Sequence, residues 1–178
     1  MGCYGLGLSR ILASSVEYLS SELPENIEIR NARQEQDTNQ EQTIRDNIIS
    51  LRWPKLIVPF KICIILPKKG SKEEKAKGTE FSLHLADVIN NRYGEDILID
   101  DRSNLTVGKK LLTAKAIGIP FIIIAGRNIL DSIPKFEVFH TFDSNYQKKE
   151  IFPSDGMIFT QLELLNLLKN CLQSYKLM

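Results

Sequence analysis

Gly118-Ile119-Pro120-Phe121-Ile122-Ile123-Ile124-Ala125-Gly126 is a short apolar run, rich in β-branched residues and closed by a glycine at each end. Such a run, Ile119 to Ala125, reads as a strand. Working outward, Ile57 to Leu66 and Asp96 to Ile99 read as further strands, and Phe136 to Phe142 with Glu150 to Phe152 as a later, more exposed pair. Amphipathic stretches separate them: Phe81, Leu85 and Val88 mark one helix, Leu111, Leu112 and Lys115 sit on another, and Ile158, Leu162, Leu165, Leu168 and Leu172 mark the last. Strands alternating with helices predict an α/β fold, a sheet with helices packed on it and these stripes as core.

The amino-terminal part reads differently. Residues 1 to 8 suit a strand or tight turn, and Ser9 stands where an N-cap would accept a first-turn amide. Leu12, Val16, Leu19 and Leu23 then recur at helical spacing until Pro24 makes continuation costly. From residue 24 to about 43 the chain is dominated by Gln, Asn, Glu and Arg, too polar to offset its own ordering entropy, so a linker or solvated helix is expected.

The chain has 178 residues, of which 43% are hydrophobic, enough for one domain with a real core plus an appendage. With 23 Lys+Arg against 22 Asp+Glu, any nucleic-acid contact must be a local patch rather than a whole-surface field. Cys3, Cys63 and Cys171 are odd in number and far apart, which argues against a disulfide frame or a zinc site and fits a reducing compartment. His84 and His140 have no Cys or carboxylate partner at ligand or triad spacing, so no metal site is expected. No apolar run approaches the length of a membrane span, and residues 1 to 20, with one arginine and an interrupting Glu17, do not read as a transit peptide.

Gly5-Leu6-Gly7-Leu8-Ser9-Arg10 is the first stretch that carries chemistry. Two glycines one residue apart let a backbone approach a planar or phosphate-bearing ligand, and Arg10 can put an always-ionised fork on phosphate oxygens. It is neither a dinucleotide fingerprint nor a Walker loop, and by itself it is equally a Gly-rich turn before a helix.

Gly2-Cys3-Tyr4-Gly5-Leu6-Gly7-Leu8-Ser9-Arg10-Ile11-Leu12-Ala13 closely resembles motif 3 of class II prolyl-tRNA synthetases. Arg52-Trp53-Pro54, Val58-Pro59-Phe60, Pro67-Lys68-Lys69-Gly70-Ser71-Lys72-Glu73-Glu74, Asp100-Asp101-Arg102, Gly108-Lys109-Lys110 and Gly118 to Gly126 follow in the order of the anticodon-binding domain of the same enzymes, in their mitochondrial form. The resemblance covers most of residues 1 to 23 and 51 to 168. It implies three parts: residues 1–23, a strand-helix remnant of a class II catalytic domain; residues 24–50, a polar linker or insertion; and residues 51–178, a mixed-sheet anticodon-binding domain.

The resemblance also implies roles. Arg10 would meet the γ-phosphate of ATP, with magnesium as its counter-ion, and Gly5 and Gly7 would admit adenine and ribose. The loops at strand ends would face tRNA(Pro). Asp101 can accept from base amino groups, while Arg102 can clamp a phosphate or pair with a neighbouring aspartate. Lys109 and Lys110 open a helix, where amides and ammonium groups favour an anion, or else form a solvated helix start. Lys68 and Lys69 begin the densest basic run, either an RNA-backbone patch or a solvated loop. Phe139, Phe142 and Tyr146 are candidate base platforms.

In this family proline, ATP and a homodimer complete the enzyme, and the other class II motifs lie upstream. This chain alone is therefore expected to lack activity, as part of a proline–tRNA ligase of the mitochondrial matrix whose targeting segment would lie upstream. Two alternatives are a standalone nucleic-acid-binding module like the accessory subunit of the mitochondrial DNA polymerase, and a nucleotide-binding enzyme of another class.

Overall fold

Five short strands form one mixed sheet in the order β2-β1-β3-β4-β5. They are β1 (Ile62–Ile65), β2 (Ile97–Asp100), β3 (Phe121–Ile124), β4 (Lys135–His140) and β5 (Met157–Thr160). The computed structural model describes residues 5, 7–21, 50–54, 56–141 and 156–176. β1 pairs in parallel with β2 (Ile62 with Ile97) and with β3 (Ile62 with Phe121), whereas β4 and β5 run antiparallel. The helices are α1 (Leu8–Ser21), α2 (Lys72–Lys75), α3 (Gly78–Tyr93), α4 (Val107–Ile117) and α5 (Gln161–Lys176).

The central strands are apolar throughout because both their faces are covered. Ile62, Ile64, Phe121 and Ile123 turn to one face, where Leu85 and Ile89 of α3 and Leu164, Leu168 and Leu172 of α5 meet them. Cys63, Ile65, Ile122 and Ile124 turn to the other, against Val107, Leu111 and Ala114 of α4. Reversal of direction explains the split. The chain steps from β1 to β2 through α3, then back across β1 to β3 through α4, and crossovers of one hand put those two helices on opposite faces. Each fully buried Ile or Phe contributes about 1.5–3 kcal/mol, so this double-sided core dominates stability.

Several boundaries differ from the sequence expectations. The strand expected from Ile57 to Leu66 holds only Ile62–Ile65. Pro59 cannot donate to a ladder, Ile57 N–H instead closes a turn on Pro54 C=O, and Leu56, Ile57 and Phe60 are exposed. Ser9 lies inside α1 rather than capping it; Gly7 C=O accepts from the amides of Arg10 and Ile11. β4 is core rather than an exposed edge, with Phe136 and Val138 fully buried. The last helix begins after Thr160, so Ile158 is on a strand and Leu162 is exposed. The cause is a capping box: Glu163 carboxylate accepts from the Thr160 amide and hydroxyl, and Thr160 Oγ1 accepts from the Glu163 amide. Leu112 is likewise exposed, and Lys110 and Ala114 take the inner positions of α4. The strand expected at Glu150 to Phe152, the linker over residues 24–49 and the start of the glycine turn lie outside the described residues.

α1 meets the rest of the chain at residues 51–53. Ser20 Oγ accepts from the Arg52 amide (2.9 Å), Leu51 N–H donates to Ala116 C=O (2.8 Å) and Trp53 Nε1 donates to Ile117 C=O (2.7 Å). Gly118 makes this crossing possible. Its φ of +80° ends α4, and a Cβ there would run into the Leu51 carbonyl.

Candidate nucleic-acid interface

The loops after β1, β2 and β3 converge beyond the carboxyl ends of the parallel strands, where open α/β sheets hold their ligands. A cleft of about 400 Å³ opens there. Pro67, Lys68, Ser71 and Glu73 line it from the β1 loop, Gly126, Arg127 and Asn128 from the β3 loop, Val107 from α4 and Glu137 from β4. It therefore carries two cations and two carboxylates over an apolar floor of Ile124 and Ala125.

Local sequence sets each wall. Ser71 Oγ caps α2 by accepting from the Glu74 amide (3.2 Å), while the Glu74 carboxylate accepts from the Gly70 amide. That fold-back holds Lys68 and Lys69 in an exposed turn. The Glu73 carboxyl is lowered from its ordinary value, first by a backbone amide, then by the Ser71 hydroxyl, with Arg127 and Lys72 adding to it. Opposite, Gly126 leads into a 3-10 turn (Arg127–Leu130) whose Ile129 is buried, leaving Arg127 exposed at the rim.

The β2 loop departs from expectation at one residue. Lys110, expected to touch RNA, is fully buried, and its Nζ donates to the carbonyls of Leu66 (3.0 Å) and Asp100 (3.3 Å). Its position one turn into α4 points it back beneath the strand ends, so it braces the loops from within the core. Arg102 pairs with a neighbour: Nε and an Nη donate to the two oxygens of Asp100 at 2.9 and 2.7 Å, holding the Asp100 carboxyl below its ordinary value. Asp101, the rest of the Arg102 guanidinium and Lys109 face solvent. Thr106, not Gly108, starts the helix, its Oγ1 accepting from the Lys109 amide.

Phe139 is no base platform, being 9% exposed in the core with the Lys115 ammonium 4.9 Å from its ring centre; Phe142 and Tyr146 lie outside the described residues. Glu137, Arg127 and Asn128 were missed by sequence reasoning. Glu137 sits in an apolar-alternating strand, and only the register Ile124 to Glu137 brings it to the cleft.

Arg10 is exposed on the first turn of α1, beside a shallow groove shared with Ile11, Ser14, Ser15 and Tyr18. A Cβ at Gly5 would meet nothing within 4 Å, and one at Gly7 only the side chain of Arg10. Among the described residues no group of three or more His, Cys, Asp or Glu side chains is arranged to hold a metal ion, and no helix is long and apolar enough to cross a membrane.

No family model matches the chain. It is 39% identical over 140 residues to the probable mitochondrial proline–tRNA ligase of Homo sapiens, an alignment covering 78% of this chain and 24% of that protein. The mouse counterpart gives 39% over 141 residues, and proline–tRNA ligase of Mycolicibacterium vanbaalenii 29% over 133. Among solved structures, Giardia lamblia prolyl-tRNA synthetase in complex with prolyl-adenylate matches with a TM-score of 0.56 at 19% identity, over 76% of this chain and 28% of that one. The Cryptosporidium parvum prolyl-tRNA synthetase with L-proline and AMP gives a TM-score of 0.51 at 20% identity, over 74% of this chain and 27% of that one. At those identities the structures speak for the fold. The chain spans about a quarter of the length of the mitochondrial relatives, 24% in each case, and what it resembles is that part of a mitochondrial-type prolyl-tRNA synthetase.

Proposed function

We propose that this chain is the tRNA-reading part of a proline–tRNA ligase that serves mitochondrial translation, and that its anticodon-binding surface is the cleft at the carboxyl end of the sheet. The observation that carries this is the cleft itself: a small-ligand volume with both donors and acceptors on its walls and the cationic side chains of Lys68 and Arg127 among its lining. Unstacked bases are recognised by edge contacts in such a pocket, while surrounding cations hold the backbone.

In this reading residues 1–23 belong to the catalytic domain and residues 51–178 to the anticodon-binding domain, joined by residues 24–50. Arg10 would hold phosphate oxygens of ATP, with Gly5 and Gly7 letting the nucleotide close to the backbone; ATP would supply the activation of the proline carboxylate. Proline, ATP with magnesium, tRNA(Pro) and a second copy are partners of the complete enzyme. The 178-residue chain by itself forms no prolyl-adenylate, and proline-dependent pyrophosphate exchange by the purified chain would contradict that.

The direct test is binding to a proline tRNA and to the same tRNA with its anticodon replaced, at two salt concentrations. Loss of about 1–3 kcal/mol per replaced base supports anticodon reading. Equal, salt-sensitive binding to both RNAs leaves backbone contact alone and overturns it.

A further inference from the structure

Lys77 is the one residue other than glycine with a positive φ among the described residues, at φ 64° and ψ 22°. It joins α2 to α3 and bends the chain sharply between them. A residue with a Cβ holds that left-handed conformation only when its surroundings impose it. Gly78 lets the bend close up: a Cβ there would stand 2.6 Å from the Glu73 carbonyl oxygen and 3.3 Å from Pro67 Cγ.

The sequence around the bend favours the opposite. Lys72-Glu73-Glu74-Lys75-Ala76-Lys77 are all strong helix formers. Lys77 N–H still donates to Glu74 C=O, and Lys77 C=O accepts from the Phe81 amide, so helical bonding reaches the bend from both sides. With Lys77 in the right-handed region, residues 72–93 form one helix. Ser71 already caps its start, and Glu73 and Lys77 come to lie four apart on one face, the favourable order for a carboxylate and an ammonium. The connection is long enough. Residues 72–77 lengthen α3 by ~9 Å, and residues 67–71 reach ~17 Å from the end of β1.

The two forms differ at the cleft. Bent, the junction holds Ser71 and Glu73 on the cleft wall with Pro67 and Lys68. Straight, it carries Ser71 and Glu73 away and leaves the cleft open on the β1 side. Resting on the RNA-reading function proposed above, we infer that residues 71–78 are a lid hinged at Lys77: the straight form admits the nucleic acid and the bent form closes on it. Contacts that the bound RNA makes only with the bent wall tip the balance.

The test is NMR of the isotopically labelled full chain, free and with a proline-tRNA anticodon stem-loop, in wild type, Lys77→Gly and Gly78→Ala. In wild type the amides of residues 71–79 should exchange between two conformations, and the RNA should suppress that exchange. Lys77→Gly relieves the left-handed conformation and should suppress it without RNA. Gly78→Ala sets a methyl against the Glu73 carbonyl in the bent form alone. It should give the NOE pattern of one unbroken helix through residues 74–80 and bind the RNA about tenfold more weakly, with the sheet resonances unchanged. A fixed wall produces no such opposed pair of shifts. If Gly78→Ala fails to fold, wild type and Lys77→Gly decide between the two. A wild type without exchange at residues 71–79, exchange that bound RNA leaves unaltered, or a bend retained in folded Gly78→Ala overturns the lid and leaves RNA reading standing. If the chain binds no RNA, both fail.

Discussion

The Lys110 ammonium lies 3.0 Å from the carbonyl oxygen of Leu66, and through a second bond to Asp100 it joins the carboxyl ends of β1 and β2 beneath the candidate interface. The Leu66 carbonyl takes its donor from this cation, while the Asp100 carbonyl also accepts from the Leu66 amide at 3.2 Å. Lys110→Met keeps the apolar stem and removes the donor. We expect it to destabilise the fold by about 1–3 kcal/mol, the cost of leaving the buried Leu66 acceptor unsatisfied, measured by urea unfolding. A variant as stable as wild type would show that the Leu66 carbonyl finds another partner.

Lys68, Lys69 and Lys109 are exposed and should act through charge. Replacing all three by alanine should weaken RNA binding by a similar factor for every sequence. The plot of log affinity against log salt should flatten by roughly 0.7–0.9 for each phosphate that is no longer neutralised. Weakening confined to one anticodon would instead mean that one of these lysines reads a base.

The Asp100 and Arg102 pair predicts a pH dependence. Hydrogen bonds from Arg102 lower the Asp100 carboxyl in the folded chain. A depressed folded value adds stability that is fully present above the unfolded value of about 3.9 and is lost as pH falls through the folded one. The difference in stability between wild type and Asp100→Asn should therefore be constant near neutrality and shrink below about pH 4. A difference unchanged down to pH 2 would sink the assignment.

Gly118→Ala puts a side chain at φ +80° and against the Leu51 carbonyl. The backbone conformation alone should cost about 1–3 kcal/mol, and the clash should loosen the Trp53 indole bond to Ile117 C=O. Urea unfolding with tryptophan fluorescence reads both, since Trp53 is the only tryptophan.

Burial of Cys63 beneath α4 pushes its thiol up to about 12, with the Asp100 charge adding to the effect. Native protein at pH 8 should leave Cys63 unalkylated by iodoacetamide, and peptide mapping after urea unfolding should find it modified. Rapid modification of the native chain would mean that the core around it opens.

Much of the architecture was legible because the central strands are buried on both faces. A strand of that kind cannot tolerate polar residues, so Ile62–Ile65 and Phe121–Ile124 stand out as unbroken apolar runs, and the helices between them show one-sided stripes. Legibility faded where one residue serves two patterns. Ile158 fits the leucine spacing of α5 as well as it fits a strand, and only the Thr160 and Glu163 capping box fixes the boundary.

By itself, then, the sequence determined the alternation of strands and helices, the local Asp100 and Arg102 pairing as one of two options, and the motif order that ties the chain to prolyl-tRNA synthetases. Tertiary structure alone decided which charges are available. Lys109 and Lys110 are neighbours in a row of like residues, yet the 100° step of a helix sends one to solvent and the other under the strand ends. Glu137 looked like one more polar residue in a strand until antiparallel pairing set it beside the end of β3. Charge is written in the sequence, but whether it meets solvent, a carbonyl or a ligand depends on which strands pair and in what register.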